Sequence, residues 1–304
     1  MLSTRPVEPD TALLARAAGS NPVRTGIVCA HGATVLESAR DAQAAGLIEP
    51  VLVGDLARIA AGAEAIGWDI SGIEMLAAED APQAALKAAI LAGTGGLGAL
   101  MKGDLHTDIL LRGVLDRSAG LRTGRRLTHI FRMSFPGDDR RIIITDAAVN
   151  VAPDEETLFQ AAANAVQACR AVGIATPKVV FLSATEDPIP SMPSSEVARR
   201  LAERCTAEIP NALFAGPLAM DNAISPAAAK AKGIDNPVAG FADVLVVPNI
   251  ETGNAIFKTL VYCCAGCAAG VVMGAKVPVI LTSRADPSAA RITSAALAAC
   301  IAAG

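Results

Sequence analysis

Short apolar runs alternate with longer amphipathic segments along most of the chain. The runs GIVCA at 26–30 and ADVLVV at 242–247 have the length of buried strands. Ala-rich segments with apolar residues at helical spacing follow such runs, as in TVLESARDAQAAG at 34–46. Strands that alternate with helices predict an α/β fold in which most strands are parallel.

One stretch departs from this alternation. In THIFRMSFPGDDRRIIITD, residues 128–146, two β-rich runs are joined by Pro-Gly-Asp-Asp. This pattern is typical of a β-hairpin. Because it interrupts the strand–helix order, the hairpin is the best sign of a change of domain.

A second stretch resembles a membrane span but is too short for one. From Thr259 to Ala275 the chain carries no charge, and Gly266, Gly270 and Gly274 have the GxxxG spacing. A span needs about 20 apolar residues. We therefore expect a buried helix that runs to about Ala269, followed by a strand formed by GVVMGA.

Composition and charge exclude several classes of protein. The chain is 52% hydrophobic with a net charge of -4, so it has no bulk positive field for nucleic acid or an acidic membrane. The start of the chain is polar and carries acids, unlike a signal peptide, and with the free cysteines this predicts a cytoplasmic protein. The cluster CCAGC has no second group of Cys or His at ligand spacing, so we expect small buried cysteines and no metal site.

The sequence supports neither a nucleotide-binding motif nor a hydrolase motif. GTGGLG at 93–98 has the form G-x-G-x-x-G, but it follows a predicted helix and precedes a strand, the reverse of the dinucleotide-binding order. We expect it to end a helix and form a turn. His31 follows the first strand, where either a site role or an ordinary packed histidine is consistent with the sequence.

Polar side chains collect where predicted strands end. They are Asp146, Asn150, Asp221, Asn222, Asn249, Asn254, Thr282, Ser283 and Arg284, with Arg112 on the helix after MKGDLHT. Each alone could cap a helix or shape a turn. Together they supply hydroxyls, amides and guanidinium groups with few carboxylates, which suits a phosphate or an acyl oxyanion better than a divalent metal.

Several long motifs, in order, resemble the phosphate acetyl/butyryltransferase family. They are MKGDLHTDILLRGVLD, GLRTGRRLTHIF, ITDAAVNVAPD, GPLAMDNAIS, KGIDNPVAGFADVLVVPNIETGNAIFKTLVY and VPVILTSRAD. The likeness runs from about Gly46 to the C-terminus and is nearer to the butyryl branch than to the acetyl branch.

The resemblance implies two α/β domains flanking a cleft, in the isocitrate/isopropylmalate dehydrogenase-like architecture. The first domain would hold residues 1–145 plus 282–304 and the second residues 146–281, usually in a homodimer. The implied reaction is reversible transfer of a short acyl group between coenzyme A and phosphate, both as substrates, with no NAD, metal or tightly bound cofactor.

The resemblance also assigns roles to residues. Ser283 and Arg284 match the catalytic pair that holds phosphate and the developing charge, and Arg112 matches a helix arginine that binds coenzyme A. Substrate contacts are further expected from Asp146, Asn150, Asp221, Asn222, Asn249, Asn254 and Thr282.

One feature departs from the family pattern. Acetyl-type members carry an Asp about six residues after the Ser-Arg pair, proposed as the base for the thiol. Here Ala289, Ala290 and Arg291 occupy that region and Asp286 is nearer to the pair. The identity of the base therefore stays open.

Two alternatives remain at this point. An NAD-dependent hydroxyacid dehydrogenase of the same architecture would need clustered acidic metal ligands and a nucleotide loop. A non-catalytic acyl-CoA-binding regulator would keep the cleft and lose the Ser-Arg pair. The acyl chain length and the physiological direction are left open.

Overall fold

The structure, a computed structural model, describes residues 2–282 and 285–304. The chain forms two compact units. The terminal unit comprises Pro9–Arg125 and Ala269–Gly304, and the central unit comprises the residues up to Glu8 and Arg126–Ala268. Strands and helices are numbered along the chain.

The terminal unit is a sheet with helices between its strands. Its strands are β1 (Val23–Val28), β2 (Ile48–Gly54), β3 (Glu74–Ala77), β4 (Ala99–Lys102), β11 (Val279–Ile280) and the greater part of β10 (Cys267–Met273). Its helices are α1 (Thr11–Ala18), α2 (Ala33–Ala44), α3 (Leu56–Ala65), α4 (Ala81–Gly93), α5 (Thr107–Leu115) and α11 (Ser288–Ala303), with a 3₁₀ turn at Arg117–Ala119.

The strand order of the terminal unit is β3-β2-β1-β4-β11-β10. All neighbours are parallel except β10 and β11. The chain adds β2 and β3 on one side of β1 and then crosses to place β4 on the other side. The ends of β1 and β4 therefore form a topological switch point, where open α/β sheets commonly bind ligands.

The central unit is a second mixed sheet. Its strands are β5 (Thr128–Phe135), β6 (Asp138–Thr145), β7 (Lys178–Leu182), β8 (Leu213–Leu218) and β9 (Val244–Val246). Its helices are α6 (Glu155–Ala171), α7 (Pro193–Glu208), α8 (Met220–Ile224), α9 (Pro226–Ala231) and α10 (Ile250–Cys264). The order is β5-β6-β9-β7-β8, with β5 antiparallel to β6 and the other pairs parallel.

Two features predicted from the sequence are confirmed. The hairpin β5–β6 turns at Pro136 and Gly137, and Gly137 has φ +74°, a conformation that favours glycine. The segment GTGGLG begins at Gly93, the last residue of α4, and runs to the start of β4, and the backbone N–H of Gly95 donates to the carbonyl of Ala92. It is therefore a helix end and turn.

The buried helix expected to run to about Ala269 was predicted wrongly in burial and in length. Gly253 is the one buried residue of α10, and Cys263 and Cys264 at its end are exposed. α10 ends at Cys264, Ala265 has φ +53°, and the N–H of Gly266 donates to the carbonyl of Leu260. All seven residues of β10 are buried. Burial in the sheet outweighs the helix propensity of Ala268 and Ala269, because propensity is a weak preference of a few tenths of a kcal/mol.

No helix in the described part of the chain is long and apolar enough to span a membrane. Likewise, no three or more His, Cys, Asp or Glu residues of residues 2–282 and 285–304 are grouped to hold a metal ion.

Candidate functional site

The carboxyl ends of two neighbouring strands bring the first predicted residues together. β6 and β9 are parallel, with Thr145 opposite Val246. The N–H of Val247 donates to the carbonyl of Thr145 at 2.9 Å. The segments that begin at Asp146 and at Asn249 therefore leave the central sheet side by side.

Asp146 organises the turn after β6. It is 2% exposed, and its Oδ1 accepts from the backbone N–H of Ala148 at 2.9 Å and of Val149 at 3.0 Å. Its Oδ2 accepts from the backbone N–H of Asn150 at 3.2 Å and from Asn150 Nδ2 at 2.6 Å. Asn150 Nδ2 also donates to the carbonyl of Leu127 at 2.8 Å. These bonds hold the turn and the Asn150 side chain in place, and contact of either residue with substrate stays a prediction.

Asn249 begins α10 and Gly253 allows the helix to approach the Asp146 turn. Asn249 Oδ1 accepts from the backbone N–H of Thr252 at 2.9 Å and from its Oγ1 at 2.7 Å. A Cβ at Gly253 would lie 2.9 Å from the Cβ of Ala147 and 3.0 Å from its Cα. The crowding of Asn, Thr and Gly in VPNIETGN is thus explained by a helix start packed directly on the neighbouring turn. Asn254, one residue further, is half-buried.

The next predicted pair belongs to a charged network that the sequence did not reveal. Asn222 is fully buried and its Nδ2 donates to Glu186 Oε1, while its Oδ1 is buried without a hydrogen bond from the described residues. Glu186 also accepts from Lys232 Nζ, and Lys232 lies 3.9 Å from Asp221 Oδ2. The bond to Lys232 lowers the pKa of Glu186, and the same bond raises the pKa of Lys232. No sequence spacing links these residues, because the network joins the loop after β7 to α8 and to the end of α9.

A small apolar cavity lies beside this edge of the central sheet. Its volume is about 100 Å³, and it is lined by Pro153, Leu158, Phe181, Leu182, Ser194, Val197, Ala198, Leu201, Val246, Val247 and Pro248. Ser194 supplies its one hydroxyl side chain. Pro248 is the residue before Asn249, so the cavity adjoins the predicted site segment.

The terminal unit holds the remaining predicted residues. Arg112 lies on α5 with its side chain 82% exposed, and its guanidinium is 3.4 Å from Asp108 Oδ2. Thr282 is half-buried and follows β11. Ser283 and Arg284, the predicted catalytic pair, lie outside the described residues.

A histidine and a carboxylate lie at the switch point of the terminal unit. His31 follows β1, Asp104 follows β4, and His31 Nδ1 is 3.5 Å from Asp104 Oδ2. Burial, helped by the Arg58 charge, lowers the pKa of His31 against the opposing effect of Asp104. Burial raises the pKa of the Cys29 thiol to about 11, so this cysteine is a neutral thiol.

Comparison with known proteins identifies close relatives. A protein-family model described as phosphate acetyl/butaryl transferase matches residues 77–299. The phosphate acetyltransferase of Rhizobium meliloti is 41% identical over 294 residues, which cover 96% of this chain and 92% of the relative. The phosphate butyryltransferase of Clostridium acetobutylicum is 38% identical over 280 residues, covering 92% of this chain and 93% of the relative.

Solved structures agree in fold. A branched-chain phosphotransacylase from Enterococcus faecalis V583 superposes with a TM-score of 0.78 at 29% identity, covering 92% of this chain and 99% of that one. A 4-hydroxythreonine-4-phosphate dehydrogenase from Burkholderia phymatum superposes with a TM-score of 0.60 at 14% identity, covering 93% of this chain and 99% of that one. The second likeness concerns the fold alone, and it confirms the expected α/β, dehydrogenase-like architecture.

Proposed function

The chain belongs to the phosphate acetyl/butyryltransferase family, and on that premise we propose that it catalyses acyl-CoA + phosphate = acyl phosphate + CoA. The family match over residues 77–299 carries this proposal. The motif VILTSRAD, with the predicted Ser283 and Arg284, lies within the matched range. The dehydrogenase alternative is not favoured, since its structural relative shares the fold at only 14% identity.

The chemistry requires two anionic substrates in one ternary complex. Attack of a phosphate oxygen on the thioester carbonyl forms a tetrahedral oxyanion and then expels the CoA thiolate. In our proposal Arg284 binds phosphate and the developing oxyanion through its planar guanidinium, and Ser283 donates to the same oxygens. Holding the reactants in place can lower the barrier by on the order of 7–11 kcal/mol.

The other predicted residues hold the substrates in this scheme. The exposed guanidinium of Arg112 is available to bind the phosphates of coenzyme A. Thr282, Asn249 and Asn254 contribute donors, while the turn of Asp146 and Asn150 and the pair Asp221 and Asn222 shape the surrounding segments. Coenzyme A and phosphate are substrates in this proposal, and we place the enzyme in the cytoplasm as a homodimer without a tightly bound cofactor.

The reaction is tested by the dependence of thiol release on phosphate. We expect purified protein to release CoA from short-chain acyl-CoA when phosphate or arsenate is added, and not in a buffer lacking both. CoA release should be more complete with arsenate than with phosphate, because the acyl arsenate hydrolyses and this drives the reaction forward. Equal release without either anion would identify a thioester hydrolase.

We further propose that the cavity at Pro248 receives the acyl chain. It adjoins Asn249, and its lining is apolar, as a hydrocarbon chain requires. A cavity of about 150 Å³ accepts benzene, so the volume of about 100 Å³ suits a chain of roughly four carbons. This agrees with the butyryl-like motifs and predicts that butyryl-CoA is a better substrate than acetyl-CoA.

A substitution that fills the cavity tests whether it holds the acyl chain. Ala198 is buried on α7 and lines the cavity, so Ala198→Leu adds three carbons to it. We expect kcat/KM for butyryl-CoA to fall by about 15-fold, the value of two buried methylenes, with acetyl-CoA affected only a few-fold. Ala207→Leu makes the same change at an exposed position of α7 and serves as the control. An equal fall for both substrates would show that the cavity does not hold the acyl chain.

A further inference from the structure

Three neighbouring strands of the terminal unit end at one sheet edge with chemically active residues. β1, β4 and β11 are parallel neighbours, with Ile27 opposite Met101 and Met101 opposite Ile280. From these strands the chain continues into His31, Asp104 and Thr282, respectively. Strands lie about 4.8 Å apart, so the β1 end and the β11 end are separated by roughly 10 Å. His31 and Asp104 therefore share an edge with Thr282, the last described residue after β11.

The His31 ring is arranged to exchange a proton at one nitrogen. Its side chain is only 9% exposed, and its Nδ1 is buried without a hydrogen bond from the described residues. That nitrogen lies 3.5 Å from Asp104 Oδ2, a separation that a substrate-bound site can shorten to a hydrogen bond. Because Nδ1 is buried beside the carboxylate, Nε2 is the ring nitrogen that remains for a substrate. A carboxylate next to Nδ1 favours the tautomer in which Nε2 accepts a proton.

Backbone contacts from three elements fix the segment that carries the ring. The N–H of Ala30 donates to the carbonyl of Val53 at 3.2 Å, and the N–H of Asp104 donates to the carbonyl of Cys29 at 3.0 Å. A Cβ at Gly103 would lie 2.2 Å from the carbonyl oxygen of Val28. A Cβ at Gly62 on α3 would lie 2.9 Å from the carbonyl oxygen of His31. Such close packing holds the His31 backbone in one position, as a site for chemistry requires.

We propose that His31 is the general base for the thiol of coenzyme A and that Asp104 is its positioning residue. This inference rests on the proposed acyl transfer and supplies the base that the sequence left unassigned. In the CoA-consuming direction, His31 Nε2 takes the proton from the thiol. The thiolate then forms the new S–C bond to the acyl carbon of acyl phosphate. The C–O bond to phosphate breaks, the phosphate leaves with the electron pair, and it receives the proton from His31.

The electrostatic surroundings agree with this role. The charged groups that act on His31 are Asp104 after β4, with Asp55 and Arg58 at the start of α3. The thiol of Cys29, two residues earlier, is neutral. Burial and Arg58 lower the pKa of His31 against the two carboxylates. The ring is therefore neutral near pH 7 and able to accept a proton.

Replacing His31 tests the proposal through the pH dependence of turnover. Without the base, reaction depends on the thiolate already present, which is about 3% of a thiol of pKa 8.5 at pH 7. We expect His31→Gln to lower kcat in the CoA-consuming direction by about 30-fold at pH 7 and by less than about threefold near pH 9. His106→Gln makes the same change at an exposed histidine of the terminal unit, and we expect it to leave kcat unchanged.

Two further variants separate a base from a structural histidine. We expect added imidazole to restore part of the activity of His31→Ala, assayed on the folded fraction. We expect Asp104→Asn to move the acidic limb of kcat to lower pH, because the carboxylate raises the pKa of His31. A His31→Gln loss that is equal at all pH values, or no loss, would overturn the assignment. If the wild type itself shows no phosphate-dependent release, the proposed function fails, which is a different result.

Discussion

We expect Arg284→Ala to turn over at least about 100-fold more slowly than the wild type at saturating substrate. The proposed guanidinium donates to phosphate and to the tetrahedral oxyanion, and loss of one such donor costs about 100- to 1,000-fold in kcat. Arg284→Lys is expected to recover only part of this, since an ammonium cannot reproduce the planar, bidentate fork. The measurement is kcat and KM for both substrates, in both directions.

Arg112→Ala provides the contrast for Arg284. Its side chain is 82% exposed, and in the proposed scheme it binds coenzyme A without contact to the reacting atoms. We expect KM for coenzyme A to rise with little change in kcat. If Arg284→Ala instead changed only KM for coenzyme A, Arg284 would be a binding residue and the assigned chemistry would be wrong.

Replacement of Asp146 by asparagine is expected to produce the largest loss of stability among the site variants. Both carboxylate oxygens of Asp146 accept hydrogen bonds, and the residue is 2% exposed. Asparagine keeps one acceptor and turns a donor towards the N–H groups of Asn150. Hydrogen bonds to a charged group contribute about 1.5–3 kcal/mol each, so we expect the free energy of unfolding to fall by about 3 kcal/mol or more. Urea unfolding in phosphate-free buffer measures the change.

Asp154→Asn is the matched control for this substitution. Asp154 caps α6 from an exposed position, and its Oδ1 accepts from the backbone N–H of Thr157 at 2.8 Å. Asparagine is an equally good N-cap, so we expect a change of only a few tenths of a kcal/mol. Similar small losses for both variants would show that the Asp146 turn does not depend on the carboxylate.

The sequence predicted the parts of the fold in which burial and periodicity agree. The β5–β6 hairpin, α2 and the buried strands β1 and β9 all appeared as clear patterns, and the structure contains them. Two elements gave no such signal. β3 is an edge strand with three of its four residues exposed, and α1 is a short helix with two buried residues, Leu13 and Ala17. Neither buries enough apolar side chains to impose a pattern on its sequence.

Site residues could be predicted from the sequence where they directly follow a strand whose end is visible in the sequence. Asp146 and Asn249 meet because β6 and β9 are neighbours, and the position of each residue after an apolar run was visible in the sequence. The sequence did not reveal the partners Glu186 and Lys232, because only folding brings them to Asn222 and Asp221. His31 was visible as a residue after β1, but its partner Asp104 follows a strand that is distant in sequence and adjacent in the sheet.

The central claim is that the acyl group passes to phosphate, and phosphorus-31 NMR of the products tests it most directly. The reaction contains butyryl-CoA, inorganic phosphate and the purified protein, with free thiol measured in the same samples. The account predicts a new acyl phosphate resonance that grows in equal amount to the CoA released and disappears when CoA is added back in excess. Release of CoA with the inorganic phosphate signal unchanged, and with free butyrate as the product, would contradict it.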